Sequence, residues 1–401
     1  MSWSAKSLDE LGTVSRGRSR HRPRDAAHLY GGPYPFVQTG DVKRAGLYLS
    51  DYSQTYSDEG LAQSKLWPTG TLCITIAANI ADTSILAIDA CFPDSVIGFI
   101  PDPKKSDARF IKYLFDAVLK LQYRQVSQGA AQDNLSQGKL LALKFSVPDD
   151  VNEQIRIADF IATYDDLIEN NRRRIKLLEE SARLLYQEWF VNLRFPGHEQ
   201  VNIIGGVPEG WVMGKVSDFI DTSSGGTPSR KFPEYYTGEI PWVKTQELKG
   251  SYIYVTSEYI TEEAIKKSSA KVFPAGTVLV AMYGATIGET GIIAIEAATN
   301  QACCALMPKR ETLSREFIHL FAMQNKQGLI NLSQGAAQNN ISQQTIKNYP
   351  FLMPSQLILK EFNELVSDIY SQKANLEKQI VSLIKARDLL LPKLMSGELA
   401  V

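Results

Sequence analysis

Five arginines stand at alternate positions, Arg16, Arg18, Arg20, Arg22 and Arg24, on a segment that also carries Gly17 and Pro23. Cations so spaced suit one task above others, neutralising a row of phosphates. A solvated basic loop has the same composition. A second string, Ser223-Ser-Gly-Gly-Thr-Pro-Ser-Arg230-Lys231, offers glycines for close backbone approach, hydroxyls and amides for phosphate, and Arg230 as a fork for guanine. Two polar tips follow strand-like runs: Gln38-Thr39-Gly40-Asp41, with Lys43 just beyond, and Lys244-Thr245-Gln246-Glu247. A third loop, Tyr283-Gly284-Ala285-Thr286-Ile287-Gly288, is built of small residues and suits a place beside another backbone. Candidate contacts to a duplex are therefore Arg16, Arg18, Arg20, Arg22, Arg24, Gln38 and Lys43, together with Thr227, Ser229, Arg230, Lys231, Lys244, Gln246 and Tyr283.

Catalysis finds no such footing. Glu247-Leu248-Lys249 has the tail of a nuclease pattern but no acidic partner at a sensible distance before it. There is no GxxxxGK[ST] string for a nucleotide phosphate, and neither a glycine-rich cofactor loop nor an Asn/Asp-Pro-Pro-aromatic tetrapeptide of a methyltransferase. Cys73, Cys91, Cys303 and Cys304 lack CxxC spacing and stand apart from the four histidines, which argues against zinc and for a reduced, cytoplasmic protein. Lys6, Asp9 and Glu10 interrupt the place of a signal peptide, and the uncharged stretch Leu66 to Ala81 holds Pro68 and Gly70 and is too short to span a bilayer. A soluble chain is expected.

The elements that must position these loops occur twice. Ser127-Gln-Gly-Ala-Ala-Gln-Asp-Asn-Leu-Ser136 returns as Ser333-Gln-Gly-Ala-Ala-Gln-Asn-Asn-Ile-Ser342, an offset of 206. At the same offset Pro35-Phe36-Val37 meets Pro241-Trp242-Val243, and Trp67-Pro68-Thr69-Gly70-Thr71 meets Phe273-Pro274-Ala275-Gly276-Thr277. The amides of 128–134 and 334–340 suit adenine edges, but their likeness in both copies favours a structural or backbone role. Neither copy is basic as a whole: residues 1–150 hold 17 Lys+Arg against 16 Asp+Glu, and 196–352 hold 13 against 14. Phosphate contact must come from local clusters.

Within each copy, apolar runs such as Leu72 to Ile76 and Ile85 to Ile88 read as buried strands, and Ala108 to Tyr123 has helical periodicity with Phe317 to Gln324 as counterpart. Each copy is thus a mixed α/β lobe, 1–150 and 207–353, and each is followed by a long helix, 151–195 and 354–401, with a flexible glycine-rich linker at 196–206. Ile161, Ile168, Ile175, Ala182 and Trp189 repeat every seven residues, with Tyr164, Asn171, Leu178 and Leu185 three positions on. Phe362, Ile369, Leu376, Leu383 and Leu390 form the second heptad series. Seams this narrow need a partner helix, and two duplicated helices pair most simply as an antiparallel coiled coil about a pseudo-two-fold axis. Leu177, Leu184 and Phe190 suggest a second apolar stripe for another partner. Asn171 either fixes the register or, with Arg172, Arg173 and Arg174, sets basic residues opposite a nucleic-acid backbone. Asp150 and Glu153 are spaced as a capping box, Phe195-Pro196-Gly197 closes the first helix, Ser355 opens the second, and Pro392 should end it.

Over essentially its whole length the chain resembles the specificity subunit of Type I restriction-modification systems. Val207-Pro-Glu-Gly-Trp211, Gly225-Gly-Thr-Pro-Ser-Arg230, Gly284-Ala-Thr-Ile-Gly288, Leu185-Tyr-Gln-Glu-Trp-Phe190 with Phe195-Pro-Gly197, and Leu390-Leu-Pro-Lys-Leu-Met-Ser-Gly-Glu-Leu399 carry the resemblance. It implies two target recognition domains, each reading half of a bipartite site in double-stranded DNA, and helical spacers that dock two methyltransferase subunits, with restriction/translocase subunits completing the complex. S-adenosylmethionine would belong to the methyltransferase, which flips out and methylates adenine; this chain would hold no cofactor and no catalytic residue. The first lobe departs from the pattern, since Arg16 to Arg24 stands where the second has Gly-Gly-Thr-Pro, so the two lobes need not share a mode of contact. Unlike lobes imply unlike half-sites. The rival reading, favoured by the net charge of -1, is a coiled-coil adaptor whose lobes bind protein or a ligand; an intrinsic nuclease is a third.

If helix length sets the spacing of the half-sites, lengthening both helices by four residues, about 6 Å, widens the gap by roughly one to two base pairs. Sequencing of methylated sites reads the gap directly, and an unchanged gap means that helix length is not the ruler.

Overall fold

The computed structural model describes residues 2–77, 80–126, 135–333 and 340–401. Ala78, Asn79 and most of the twin amide segments, 128–134 and 334–339, lie outside the described residues, so the readings made on them find no structural counterpart here. The chain forms two compact units, Met1–Arg172 with Lys378–Val401, and Arg173–Glu377.

The two lobes have the same topology strand for strand. In the first, a five-stranded sheet runs Gly12–Arg16, Val96–Pro101, Leu72–Thr75, Thr83–Leu86, Tyr48–Leu49, antiparallel except for the last pair. In the second the order is Ile220–Ser224, Cys303–Pro308, Val278–Ala281, Thr290–Ile293, Tyr252–Ile253, with the same directions. A four-stranded sheet adjoins each: Gln54–Tyr56, Tyr30–Phe36, Ala90–Cys91, Leu66–Trp67, and correspondingly Glu258–Ile260, Ile240–Val243, Ala297–Thr299, Val272–Phe273. The middle pair of each is parallel. The central strands Leu72–Thr75, Thr83–Leu86, Val278–Ala281 and Thr290–Ile293 are buried at every position, as continuous apolar and threonine runs between two layers should be. Helices Ala108–Val126 and Arg315–Gln324 cover one face of their lobes.

The long helices, Val151–Tyr186 and Gln356–Met395, extend about 54 and 60 Å at ~1.5 Å per residue. Within the first unit Asn171 donates to Gln379 at 3.2 Å and Arg387 pairs with Asp165 at 2.5 Å; within the second Lys373 pairs with Glu179 at 2.6 Å and Phe362 packs on Tyr186 and Trp189. As one number of each pair rises the other falls, so the helices are antiparallel. Among the heptad residues Ile161, Ile168, Asn171, Ala182, Trp189, Phe362 and Leu376 are buried, while Tyr164, Ile175, Leu178, Leu185, Ile369, Leu383 and Leu390 are half-buried. Asn171 uses its amide on Gln379 and Arg172 pairs with Glu169 at 4.0 Å, which favours the register role. Of the second stripe, Leu177 and Leu184 are exposed, but Phe190 is buried.

Four local expectations are corrected. Pro392 does not end the second helix, which runs three residues further. Leu391, Leu394 and Met395 are buried in the first lobe's core, and at about 1.5–3 kcal/mol each they outweigh a helix penalty of about 3 kcal/mol for proline. The first helix leaves α geometry at Tyr186 for a π turn, Gln187–Val191; the wider turn lets adjacent Trp189 and Phe190 both enter the core. Asp150 accepts from the Asn152 amide at 3.0 Å, but Glu153 turns to Arg156, so no reciprocal capping box forms. The linker is not slack: Ile203–Ile204 and Val207–Pro208 pair as a hairpin, with Gly205 and Gly206 at φ +59° and +83° in the two-residue turn that demands left-handed residues.

Two consequences can be measured. Phe362 is fully buried among Tyr186, Trp189, Phe190 and Phe317, so Phe362→Ala lowers stability by about 3–5 kcal/mol in denaturant titration, whereas Leu365→Ala, exposed on the same helix, shifts it by less than about 0.5 kcal/mol. His319 is buried against Tyr370 (2.8 Å) and Thr290 (3.1 Å), and burial, with Lys373 adding to it, pushes its pKa down to about 3. The folded imidazole stays neutral while the unfolded one binds a proton below about pH 6.5. Its stabilisation is thus full above that pH and lost as the pH falls towards 3, and His319→Gln flattens that part of the stability profile relative to wild type.

Candidate nucleic-acid interface

In the first lobe the arginine segment leaves strand Gly12–Arg16 and is pinned at once to the neighbouring chain. Gly17 donates to Val96 O at 2.8 Å and Arg18 N–H to Phe92 O at 3.0 Å. A Cβ on Gly17 would lie 2.3 Å from Pro93 O, so only glycine fits. The loop then consumes three of its own cations. Arg16 donates to Asp94 O at 2.9 and 2.6 Å, Arg22 donates to Ser19 O and His21 O at 2.9 and 2.8 Å, and Arg24 pairs with Asp94 at 3.0 Å. Arg18 and Arg20 are exposed and, among the described residues, their guanidinium groups have no partner. Their backbones are fixed, with Ser64 donating to Arg18 O at 2.7 Å and Arg20 N–H donating to Gln63 at 2.6 Å. Two donors on a held backbone are what a phosphate contact needs.

The equivalent segment of the second lobe has the same root. Gly226 N–H donates to Thr299 O at 2.9 Å, and Cβ atoms on Gly225 and Gly226 would lie 2.1 Å from Thr299 O and 2.3 Å from Ser269 Oγ. The close approach foreseen for these glycines is therefore made to the chain itself. Thr227 bonds Gln301, and Ser229 accepts from Lys231 N–H at 3.4 Å. Lys231 is exposed. Arg230 lies flat on Tyr236, 3.8 Å from the ring centroid, and its Nη2 is 2.6 Å from Glu258 Oε2. Tyr236 is itself anchored by donating to Pro228 O at 2.6 Å, and Trp242 Nε1 donates to Gly226 O at 3.1 Å.

The two polar tips are built alike. Gln38 and Lys244 precede short helices, Thr39–Arg44 and Thr245–Glu247, and their backbone N–H groups donate to Asp41 at 2.8 Å and Glu247 at 3.0 Å. Each acidic residue thus caps its own tip, and Asp41 is almost wholly buried there. Lys43 and Gln246 are exposed on these helices. Beyond the cap the lobes differ: Gln38 donates to Gln54 at 2.6 Å, whereas Lys244 donates to Glu258, also at 2.6 Å. Glu258 so joins Lys244 to Arg230, and its carboxyl is held below the usual range first by the Lys244 hydrogen bond and then, against burial, by Arg230. Tyr283 is exposed at the start of a loop whose near neighbour is Asn340, which accepts from Gly284 N–H at 3.2 Å.

The structure therefore brings Thr227, Ser229, Arg230, Lys231 and Lys244 into one cluster, and disperses the arginine row into two free cations and three structural ones. Sequence reading missed Glu258, Tyr236 and Gln301. Glu258 faces Trp242 across the sheet as Gln54 faces Phe36, but its offset is 204 rather than 206. That equivalence exists only in the strand register. Among the described residues no group of three or more His, Cys, Asp or Glu is placed to hold a metal ion, and no helix is long and apolar enough to cross a membrane.

The whole chain aligns at 24% identity over 410 residues with the Type I restriction enzyme MjaIX specificity subunit of Methanocaldococcus jannaschii, 94% of which is covered. The HindI specificity subunit of Haemophilus influenzae is 26% identical over 322 residues, 64% of this chain and 69% of that one. The fold is that of the Type I restriction-modification S subunit from M. genitalium, with a TM-score of 0.61 at 14% identity, covering 98% of this chain and 96% of that one. A family profile described as Type I restriction modification DNA specificity domain matches residues 2–180 and again 208–386. The profile thus falls once on each copy of the lobe and the helix that follows it, and the chain belongs to the Type I restriction-modification DNA specificity family.

Proposed function

We propose that the two lobes read the two halves of a split, asymmetric site in double-stranded DNA, through the loops 16–24 and 223–231 and the tips at Gln38 and Lys244. The observation that carries this is one backbone rooted twice with unlike side chains: free Arg18 and Arg20 in the first lobe, and stacked Arg230 in the second. A shared backbone gives a shared way of approaching a duplex, and unlike tips give unlike readings. The subunit itself is not catalytic. Two methyltransferase subunits dock on the long helices, for which exposed Leu177, Leu184, Leu365 and Leu389 supply apolar contact. S-adenosylmethionine belongs to those subunits, restriction/translocase subunits join them, and the assembly works in the cytoplasm, in keeping with four unpaired, buried cysteines.

Binding of the methyltransferase complex to a target duplex is expected to weaken steeply from about 50 to 200 mM salt. Arg18→Ala with Arg20→Ala lowers the slope of log K against log salt by about 2, since each lost phosphate contact removes about 0.9. A flat salt dependence favours the adaptor reading. Exchanging residues 207–353 for the lobe of a relative should alter one half-site in the methylation map and leave the other intact.

A further inference from the structure

We propose that Glu258 is a positioning residue that sets the specificity of the second lobe, by holding Arg230 and Lys244 to one carboxylate and so reserving them for a base edge. This rests on the reading that these loops face DNA.

Arg230 is restrained on two sides. Its face lies 3.8 Å from Tyr236, and Nη2 is 2.6 Å from Glu258 Oε2. The tyrosine is fixed through its hydroxyl to Pro228 O at 2.6 Å, so the platform does not turn. A guanidinium ion-paired at Nη2 and covered on one face by a ring has few orientations left. That is the state in which a fork discriminates guanine O6 and N7 from other bases, because little orientational freedom is lost on contact. Lys244, tied to the other oxygen at 2.6 Å, is likewise withdrawn from the general pool of cations.

The carboxylate also acts on unwanted DNA. Any phosphate that recruits Arg230 or Lys244 must compete with Glu258 at contact distance, and a phosphate near that carboxylate meets repulsion. Non-specific affinity is thereby lowered at the place where specific affinity is built. The first lobe supplies the comparison. At the same point of the sheet, where Phe36 opposes Gln54 as Trp242 opposes Glu258, the pair is Gln38 with Gln54 at 2.6 Å. A neutral amide pair keeps the hydrogen bond across the strands and carries no charge to withhold. The duplication has kept the tie and changed its electrostatics in one lobe only.

The test uses the full modification complex, expressed in a host whose methylated adenines are mapped by sequencing, and measures the salt dependence of its binding to a duplex lacking the target. Glu258→Gln should relax one or two positions of one half-site, with discrimination falling by about 5- to 100-fold, and leave the other half-site unchanged. Its non-specific binding should tighten, with a salt slope steeper by about 1 to 2 as Arg230 and Lys244 become free for phosphate. If Glu258→Gln does not fold, the double variant Lys244→Gln with Glu258→Gln reproduces the pair of the first lobe, and the relaxed half-site is expected there too. A folded variant with an unchanged methylation map and salt slope overturns the proposal. If Arg230→Ala still weakens target binding in that case, the loops face DNA and only the role of Glu258 is wrong; if Arg230→Ala and Lys244→Ala both leave target methylation untouched, the underlying reading fails with it.

Discussion

The apolar seam of the long helices has to be covered, and most of the architecture follows from how that is done. A helix of 36 or 40 residues with one narrow apolar stripe is not stable alone. Each unit buries its share of the stripe against the other helix and against a lobe together. In the first, Phe110, Ile111, Leu114 and Phe145 of the lobe form one core with Ile157 and Ile161 of one helix and Leu391, Leu394 and Met395 of the other. In the second, Phe317 and Phe351 form one core with Tyr186, Trp189 and Phe190 on one side and Phe362, Val366 and Tyr370 on the other. Lobe and helix pair are thus one hydrophobic body in each unit. A loop rooted in the lobe is thereby held at a fixed position on its helix pair, which a reader of spaced bases requires.

Polar groups placed in that seam select the register. Tyr113 donates to Asp165 at 2.7 Å, which also takes Arg387 at 2.5 Å. At the corresponding points of the second unit stand His319 and Tyr370, 2.8 Å apart, with Lys373, only 3% exposed, paired to Glu179. A slip of one long helix along the other by one turn would part Arg387 from Asp165 and Lys373 from Glu179. Buried ionic groups add little net stability over well-packed apolar ones, but a wrong pairing that leaves one alone is heavily disfavoured. They specify one alignment where a uniformly apolar stripe would permit several.

The duplication and the heptads were legible because they reside in residue types at fixed separations. The sheet order was not, since a strand's neighbours are chosen by contacts between distant segments; nothing local in Cys303–Pro308 says that it lies between Ile220–Ser224 and Val278–Ala281. Pro392 misled for a related reason: its local penalty is real, but Leu394 and Met395 beyond it are core residues. Gly225 and Gly226 were readable as a place of close approach, though not as an approach to Thr299 and Ser269. Arg230 and Lys244 stood out as cations in polar loops, while the carboxylate between them did not, because a glutamate on a short strand resembles any solvated edge residue until the sheet is assembled.

Where the two copies stayed alike and where they parted indicates what each region is for. The turns at Gly70 and Gly276 keep the same bonds, to Leu86 O at 2.8 Å and Ile293 O at 2.7 Å, and Thr71 and Thr277 close them on Pro68 and Pro274 at 2.7 and 2.8 Å. Both need a residue at positive φ, and both have glycine. Such turns bear on the fold, and substitution there is penalised whatever the lobe binds. The loops after the first strand of each five-stranded sheet keep only their root, one glycine and one backbone hydrogen bond, and then differ at nearly every side chain. Packing constrains the root, since a Cβ there collides with backbone, while beyond it each loop is held by contacts of its own, Ser19 on Tyr56 in one and Arg230 on Tyr236 in the other. A recognition loop under those conditions is free to change its chemistry without disturbing its support. Two such loops on one chain can then diverge independently, which a single symmetric reader repeated in a homodimer could not do.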